Sequence, residues 1–290
     1  MTLSVERLIA DDWQRWSDTP AKLIGPLHGG LTNRSFLIDA GDEKLVLRIN
    51  APNSLALDLN RAAEAEALRQ ASSKKLCAPL VYIDPGHRYL LTRFIQGVPL
   101  QLDQTDALAR MSHMLRQLHQ LAPISAQLHY AHKADHYWQS VNLEHTHTPI
   151  WQTLLELRAK ITPQLERLDS AQGAHCLCHN DLLPDNLIVD NSGELRAIDW
   201  EYAATGEPYF DLATVVEGFK LSHQQRQTLL TEYLQRPAGA SELQKLDMWQ
   251  KVYRYLSILW YAVQREQASV PPITAAALQQ QIHDLLTDID

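Results

Sequence analysis

The chain has 290 residues, 45% of them hydrophobic and 21% charged, and its formal net charge is −8 at pH 7. This is the composition of a globular protein with apolar residues for one large or two medium-sized cores. The negative charge and the lack of a basic cluster argue against nucleic-acid binding. The sequence contains neither a run of about eighteen apolar residues nor a basic-then-apolar N-terminus, so we expect no membrane span and a cytoplasmic location.

Short β-type segments dominate the first third of the sequence. Five strands are predicted between turn-prone residues, at 21–28, 34–40, 43–50, 80–84 and 88–95. Alanine, leucine, glutamate and arginine at helical spacing predict one helix over residues 57–73. These elements indicate a small antiparallel sheet with one helix, ending near Ile95.

The rest of the chain is mainly helical in pattern. Residues 96–99 have the composition of a linker, and amphipathic helices are predicted at 105–121 and 150–168. Short strands around a polar loop are predicted between residues 174 and 199. From Asp211 to the end the pattern is again helical, apart from breaks at prolines.

A β-rich first third and a helix-rich remainder predict an α+β protein with two lobes. The predicted N-terminal lobe is residues 1–96, and the larger, mainly helical C-terminal lobe is residues 97–290. The cleft between two such lobes is the expected ligand site.

Two of the three cysteines lie in the string HCLCHND, which resembles a set of metal ligands. If residues 174–178 form a strand, Cys176 and Cys178 share one face while His175 points away from it. The sequence offers no second pair of cysteines or histidines at ligand spacing to complete a tetrahedral site. A structural zinc site at this string is therefore disfavoured.

The sequence HNDLLPDN, followed by AIDWE, carries the strongest chemical signal. His179, Asp181 and Asn186 have the spacing H-x-D-x-x-x-x-N, and Asp199 follows thirteen residues after Asn186. Phosphoryl transfer requires one carboxylate that orients the attacking hydroxyl and accepts its proton, and another that holds the metal at the phosphates. A predicted hairpin turn at residues 191–193 folds Asn186 back towards Asp199. Both kinds of carboxylate are thus expected at one site.

A capped turn is the alternative interpretation of these residues, because Asn and Asp favour loops in any protein. Four polar residues at this spacing, between the apolar segments HCLC, NLIV and LRAI, are much more specific than a turn. The sequence therefore favours a kinase site, on the motif and its context together.

This pattern resembles the aminoglycoside phosphotransferase and choline kinase superfamily, whose fold is similar to that of protein kinases. The resemblance implies that Asp181 is the catalytic base, that Asn186 and Asp199 bind Mg²⁺, and that His179 braces the loop. It also implies ATP as the phosphate donor and residues 1–96 as the nucleotide-binding lobe.

Three departures from protein kinases indicate the small-molecule branch of this superfamily. Asn180 stands where protein kinases usually carry Arg, and Trp200-Glu201 stands where they carry Phe-Gly. Only Trp200 to Pro208 separates Asp199 from the next helical region, and peptide substrates need a longer platform there.

The segment GGLTNRSF is similar to the nucleotide-covering loop of bacterial choline and thiamine kinases. The resemblance implies that Gly30, Thr32 and Asn33 contact the phosphates, although a glycine pair serves any hairpin. The segment RYLLTRFIQG resembles the strand and hinge that present backbone groups to adenine. The implied adenine-site residues are Arg93, Phe94 and Ile95.

Arg48 lies where protein kinases place a lysine that holds the α- and β-phosphates. An Arg commonly fills this position in choline kinase-like proteins, where it keeps the positive charge and adds bidentate reach. A surface Arg on an edge strand is the alternative interpretation. The carboxylate expected to orient Arg48 is Glu64 by the family pattern, with Glu66 as the competing candidate.

The resemblance also implies substrate-side and supporting residues. Asp211 matches an Asp that braces the catalytic loop, and Glu217 lies one residue short of a substrate-side Glu of choline kinases. Trp260 in the segment LWYAVQ matches one tryptophan of the choline kinase aromatic cage, and Tyr261 follows it. Ser257 stands where a second cage wall is expected, so that wall is absent.

A small cationic alcohol is the favoured substrate, choline-like or thiamine-like, because cations bind aromatic faces. Aromatic residues at helical spacing are also common in helix cores, which is the competing interpretation. Sugars and aminoglycosides are the alternative substrates. A catalytically silent nucleotide-binding module is a further alternative, but both Asp181 and Asp199 are present.

Overall fold

A five-stranded antiparallel sheet forms the N-terminal part of the protein in the computed structural model, which describes residues 4–27, 33–51, 57–104, 106–141, 149–171, 175–267 and 271–289. Its strands are β1 (Lys22–Leu27), β2 (Arg34–Asp39), β3 (Lys44–Ile49), β4 (Leu80–Ile83) and β5 (Tyr89–Arg93). They lie side by side in the order β1-β2-β3-β5-β4. The five predicted strands and their antiparallel arrangement are confirmed.

Helix α1 (Val5–Asp12) packs on the apolar face of this sheet and begins at the N-cap Ser4. This helix is not predicted by the sequence pattern. Strand side chains alternate between faces, so every second residue of β3 joins α1 in a small core. Its members include Val5, Leu8, Ile9, Leu45, Leu47 and Ile49. Arg48 lies between two of these residues and therefore points to the opposite face.

Helix α2 (Arg61–Ser73) lies where the sequence predicts the one helix of this region. It begins at Asn60, whose side-chain oxygen accepts a hydrogen bond of 3.0 Å from the Ala63 N–H. Its apolar side joins the large core of the protein through Ala63, Ala67, Leu68 and Ala71. Helix α2 therefore links the sheet to the helical part, and it buries the carboxylate of Glu64.

Seven helices make up most of the described C-terminal part. They are α3 (Ala107–His119), α4 (Tyr130–Ser140), α5 (Pro149–Ser170), α6 (Pro208–Phe219), α7 (His223–Leu234), α8 (Ala240–Gln267) and α9 (Ala275–Ile289). Helices α3 and α5 lie where the sequence predicts amphipathic helices, whereas α4 is not predicted. The antiparallel sheet and the larger helical part give the expected α+β fold with two lobes, and the boundary at residues 96 and 97 stays a prediction.

Two small sheets lie between the helices and carry the polar loop. One pairs β7 (Cys176–Cys178) with β10 (Ala204–Gly206), and the other contains β6 (Gly97–Pro99), β8 (Leu187–Asp190) and β9 (Leu195–Ala197) in the order β6-β8-β9. The prediction of a linker at residues 96–99 is wrong, because Gly97–Pro99 form β6 and pair with a strand about 90 positions away. A Cβ at Gly97 would lie 2.3 Å from the Val189 carbonyl oxygen, so this pairing requires glycine.

The hairpin of β8 and β9 confirms the predicted turn at residues 191–193. The Asp190 carboxylate accepts hydrogen bonds from the backbone N–H groups of Ser192 and Glu194. At the other end of the hairpin, the Ile198 N–H donates to the Asn186 carbonyl oxygen at 2.9 Å. The hairpin thus brings Asn186 next to the segment that contains Asp199.

Within the described residues, no helix is both long enough and apolar enough to cross a membrane.

Two leucines on different helices test the packing of the large core. Leu115 in α3 is fully buried, whereas Leu155 in α5 is 43% exposed. We expect Leu115→Ala to lower the free energy of unfolding by about 2–5 kcal/mol, because it leaves a cavity. Leu155→Ala is the matched control and should change it by less than about 0.5 kcal/mol. Denaturant titrations measure both, and equal losses would contradict the packing described.

Candidate active site

The predicted catalytic loop follows β7 and is closed by hydrogen bonds to Asp181. A short 3₁₀ turn at Pro184–Asn186 brings Asn186 back over the loop. Its Nδ2 donates to the Asp181 Oδ2 and to the Asp181 carbonyl oxygen, both at 2.9 Å. The Asp181 side chain is thereby fixed, and the Asn186 Oδ1 is the end of the amide left for another ligand.

Asp211, at the start of α6, fixes the backbone of the same loop from behind. Its carboxylate is fully buried and accepts hydrogen bonds from the N–H groups of His179 at 2.9 Å and Asn180 at 2.6 Å. It also accepts a hydrogen bond of 3.1 Å from the His119 Nε2 in α3. Three donors on one carboxylate are the arrangement expected of a brace for a catalytic loop.

His179 holds the loop from its buried side, where its Nδ1 accepts a hydrogen bond of 3.3 Å from the Asp181 N–H. Its ring is fully buried, contacts Trp200 edge-on, and lies 3.0 Å from the Ile198 carbonyl oxygen through Nε2. Burial lowers the pKa of His179 to about 4, so the ring is neutral at pH 7. This position fits the bracing role that the resemblance implies.

Among the described residues, two of the seven non-glycine residues with positive φ lie at the predicted catalytic site. Asn180 and Asp199 have φ values of 65° and 61°, in the left-handed region that side chains other than glycine rarely adopt. Residues held in this way cluster at active sites, where the surrounding structure maintains them. Asn180 is held by its bonds to Asp211 and by its Nδ2, which donates to the Tyr202 carbonyl oxygen at 2.9 Å.

Arg48 joins the sheet to Asp199 and to α2 at once. Its Nη1 lies 2.9 Å from the Asp199 Oδ1, and its Nη2 lies 2.5 Å from the Glu64 Oε1. Arg48 and Glu64 are both buried, whereas the Asp199 side chain is 29% exposed. Of the two candidates for the partner of Arg48, the structure pairs it with Glu64. Glu66 instead accepts hydrogen bonds from Ser125.

A second buried ion pair, which the sequence pattern does not predict, continues this network. The Arg61 Nη1 lies 3.0 Å from both the Glu64 Oε2 and the Glu201 Oε2. The Asn33 Nδ2 donates to the same Glu201 oxygen at 2.7 Å, and its Oδ1 accepts from the Arg61 Nη2 at 3.0 Å. Arg61 and Glu201 therefore connect α2, the start of β2 and the segment after Asp199. The only sequence signal is a charge at each position.

Negative charge is crowded into the cleft. Burial first, and then the carboxylates of Asp199 and Glu201, raise the pKa of Asp181 well above its usual range. Burial and Glu201 likewise raise the pKa of Asp199 to about 7, although the Arg48 guanidinium acts in the opposite direction. A cation between these groups would relieve both shifts. Oxygen ligands from two carboxylates and an amide suit a hard divalent ion such as Mg²⁺.

The other predicted nucleotide-site residues are only partly described. Gly30 and Thr32 lie outside the described residues. Arg93 forms an exposed ion pair with Glu43, so its guanidinium lies at the sheet surface. Phe94 is 38% exposed and Ile95 is half-buried, in the connection between β5 and β6. Their contact with adenine stays a prediction.

Aromatic side chains of α8 meet the segment after Asp199. The Trp260 Nε1 donates to the Tyr202 hydroxyl at 2.7 Å, and the Trp260 ring contacts Tyr261 edge-on with 5.2 Å between centroids. The predicted Glu217 accepts a hydrogen bond of 2.5 Å from Gln250, which is also in α8. Tyr202 is not predicted by the sequence pattern, because its contact with α8 spans 58 residues.

Four tyrosines lie within electrostatic reach of Asp181. For each of them burial raises the pKa first, and the Asp181 carboxylate adds to the shift. They come from α4, from the segment after Asp199 and from α8, and they are Tyr137, Tyr202, Tyr253 and Tyr261. Each of these phenols therefore lies near enough to the loop carboxylate to interact with it electrostatically.

The α+β fold combines this loop with a second carboxylate after a hairpin and with a buried Arg–Glu pair. Together these features define a phosphotransferase of the kinase-like class. The sequence profile described as the phosphotransferase enzyme family matches residues 24–268. The chain therefore belongs to that family, and it is an enzyme. This confirms the expected superfamily and fold class.

Related sequences and solved structures of similar fold agree with this assignment. The chain is 28% identical over 243 residues to protein LicA of Haemophilus influenzae, covering 80% of this chain and 70% of LicA. It is 27% identical over 238 residues to the thiamine kinase of Escherichia coli, covering 80% and 77%. Choline kinase LicA from Streptococcus pneumoniae has a similar fold, with a TM-score of 0.75 at 17% identity and 98% coverage of both chains. LicA in complex with AMP gives a TM-score of 0.78 at the same identity and coverage.

Replacing the bracing carboxylate tests the structure of the loop. Asp211→Asn should lower the free energy of unfolding by about 1–3 kcal/mol, because an amide cannot accept from every donor that now faces Asp211. Asp185→Asn changes an exposed carboxylate of the same loop and is the matched control. Chemical denaturation measures both variants. An Asp211→Asn protein as stable as the control would contradict the bracing contact.

Proposed function

We propose that the protein is an ATP- and Mg²⁺-dependent kinase that transfers the γ-phosphate to a hydroxyl of a small cationic molecule, a choline-like or thiamine-like alcohol. The observation that carries the proposal is the position of Asp181. Its carboxylate is held by Asn186 at 2.9 Å, and it interacts electrostatically with Asp199 and with the nearby Tyr202 and Tyr261. The cytoplasmic location and the absence of nucleic-acid partners stay predictions.

Asn186 and Asp199 are the proposed Mg²⁺ ligands. The Asn186 amide nitrogen is committed to Asp181, so its oxygen is the atom that would face an ion. The bound ion would neutralise charge on the phosphates of ATP. Its positive charge would also favour the ionised form of Asp181, whose charged neighbours are otherwise carboxylates.

Arg48 is the proposed phosphate contact of the nucleotide site. Glu64 orients the guanidinium from α2 through Nη2, Asn50 accepts from Nε and Nη2, and Nη1 donates to Asp199. The second N–H of Nη1 is therefore the donor that could reach a phosphate oxygen while Glu64 and Asn50 hold the other two nitrogens. The fold shared with LicA in complex with AMP supports an adenine nucleotide as the donor.

Asp181 is the proposed catalytic base. Its carboxylate would orient the substrate hydroxyl and accept its proton as the hydroxyl oxygen bonds to the γ-phosphorus of ATP. The bond between the γ-phosphorus and the bridging oxygen breaks in the same step, and ADP leaves with that oxygen. His179, Asn180 and Asp211 act only by positioning the loop, because their contacts lie behind Asp181.

The aromatic side of the cleft supports a cationic substrate. A positive group on the face of Trp, Tyr or Phe gains about 0.5–2 kcal/mol per contact. Tyr202, Trp260 and Tyr261 are half-buried rings beside the catalytic loop, and Glu217 lies at the end of α6 against α8. The thiamine kinase of Escherichia coli and the choline kinase of Streptococcus pneumoniae are named for cationic alcohols, which supports the same class here.

Substitution of the two carboxylates should separate their roles. Asp181→Asn should lower kcat by about 10²–10⁴-fold, because an amide cannot accept the proton. Nucleotide binding, measured by calorimetry, should survive in this variant. Asp199→Ala should in addition lose the Mg²⁺ dependence of nucleotide affinity. Asp185→Asn is the control, and near-normal turnover by Asp181→Asn would contradict the assignment.

A substrate screen tests the chemical class directly. Release of ADP should be measured with choline, ethanolamine, thiamine, amino sugars and aminoglycosides. We expect choline or thiamine to be preferred, and the uncharged carbon isostere of choline to have a kcat/KM at least about 10-fold lower. Preferential turnover of aminoglycosides or neutral sugars would support the alternative substrates. ADP release with no acceptor, or none at all, would contradict the proposed function.

A further inference from the structure

A pair of thiols lies directly behind the catalytic loop. Cys176 and Cys178 are the first and last residues of β7, so both side chains lie on one face of the strand. Their sulfur atoms are 3.7 Å apart. Cys178 is fully buried, whereas Cys176 is partly exposed and leaves a route for a small ion.

Helix α3 places a histidine, a third possible metal ligand, next to the two thiols. A ring nitrogen of His119 and the two sulfur atoms all lie within 4.8 Å of one another. His119 is 57 residues before Cys176, so no local sequence pattern indicates this grouping. The neighbouring histidines of the string take no part, because His175 is exposed and the His179 ring bonds the Ile198 carbonyl oxygen.

The spacing of the sulfur atoms matches tetrahedral coordination of a thiophilic ion. Zinc bonds thiolate sulfur at about 2.3 Å, and two thiolates on a tetrahedral ion are then about 3.8 Å apart. The observed 3.7 Å equals this separation within a tenth of an ångström or so. The two sulfur atoms therefore need almost no movement to share one ion.

His119 already has the hydrogen bond that metal-bound histidines make. Its Nε2 lies 3.1 Å from the Asp211 carboxylate, an acceptor, so Nε2 carries the proton and Nδ1 presents its lone pair. Histidine ligands usually donate their other ring N–H to a carboxylate in this way. The Nδ1 lone pair now accepts from the Tyr233 hydroxyl at 2.8 Å. When an ion binds, the Tyr233 hydroxyl would either rotate away from Nδ1 or become the fourth ligand through its oxygen.

We propose that His119, Cys176 and Cys178 form a binding site for a thiophilic divalent cation of the zinc type, separate from the proposed Mg²⁺ site. Two thiolates balance the charge of such an ion, so the ion and its two sulfur ligands would carry no net charge, which lowers the cost of burying them. Mg²⁺ would not compete, because it prefers oxygen ligands and keeps its waters. An occupied site would connect α3 and β7 through one ion, behind the loop that Asp211 holds.

Cobalt binding tests the proposal with a spectroscopic readout. Titration of the full chain with Co²⁺ should produce a near-ultraviolet thiolate-to-cobalt absorption that saturates at one equivalent and is removed by Zn²⁺. Cys176→Ser and Cys178→Ser should each lower the Co²⁺ affinity at least about 100-fold, since even outer-shell partners contribute 10–100-fold. Circular dichroism without metal checks that these variants fold.

Two control variants separate this site from other thiols and from the catalytic centre. Cys77→Ser alters a buried thiol outside the site and should keep the absorption. Asp199→Ala removes a proposed Mg²⁺ ligand and should also keep it, whatever its effect on catalysis. Absence of thiolate absorption in the folded wild-type protein would overturn the proposal. So would an absorption that persists in the double variant of Cys176 and Cys178.

Discussion

The geometry of the cleft depends on a closed series of buried ion pairs. Arg48 bonds Asp199 and Glu64, while Arg61 bonds Glu64 and Glu201. The series begins and ends on one segment, because Asp199 and Glu201 are two residues apart. Such pairs add little net stability, but removing one partner leaves a buried charge uncompensated. The network therefore fixes the sheet, α2 and the segment after β9 in one arrangement.

The same network leaves Asp181 with an excess of negative charge around it. Asn186 is its side-chain hydrogen-bond partner within the described residues, and an amide contributes no charge. Burial first, and then Asp199 and Glu201, raise the pKa of Asp181, and the arginine partners of these two carboxylates lie in α2 and β3. Carboxylates with raised pKa values cluster at functional sites, and a bound cation would relieve this excess of negative charge. This connects the fold to the proposed use of Mg²⁺ and a charged nucleotide.

The spacing of residues close together in the sequence is enough to predict the catalytic loop. Contacts between residues far apart in the sequence could not be predicted in this way. Asp181, Asn186 and Asp199 could be predicted because a tight turn and a short hairpin determine their proximity. Strand β6, Glu201 and His119 could not, since their partners lie 57 to 140 or so residues away and depend on tertiary packing. Helix α1 was missed because its buried residues, Val5, Leu8 and Ile9, are set among charged residues.

In the proposed mechanism, Asn186 and Asp199 hold a metal against a nucleotide while Asp181 faces the acceptor. A crystal structure with Mg²⁺ and a non-hydrolysable ATP analogue is the decisive test of this arrangement. We expect metal density on the side-chain oxygens of Asn186 and Asp199, Arg48 on a phosphate, and the γ-phosphate beside Asp181. A nucleotide bound elsewhere, or a metal with neither Asn186 nor Asp199 as a ligand, would contradict it.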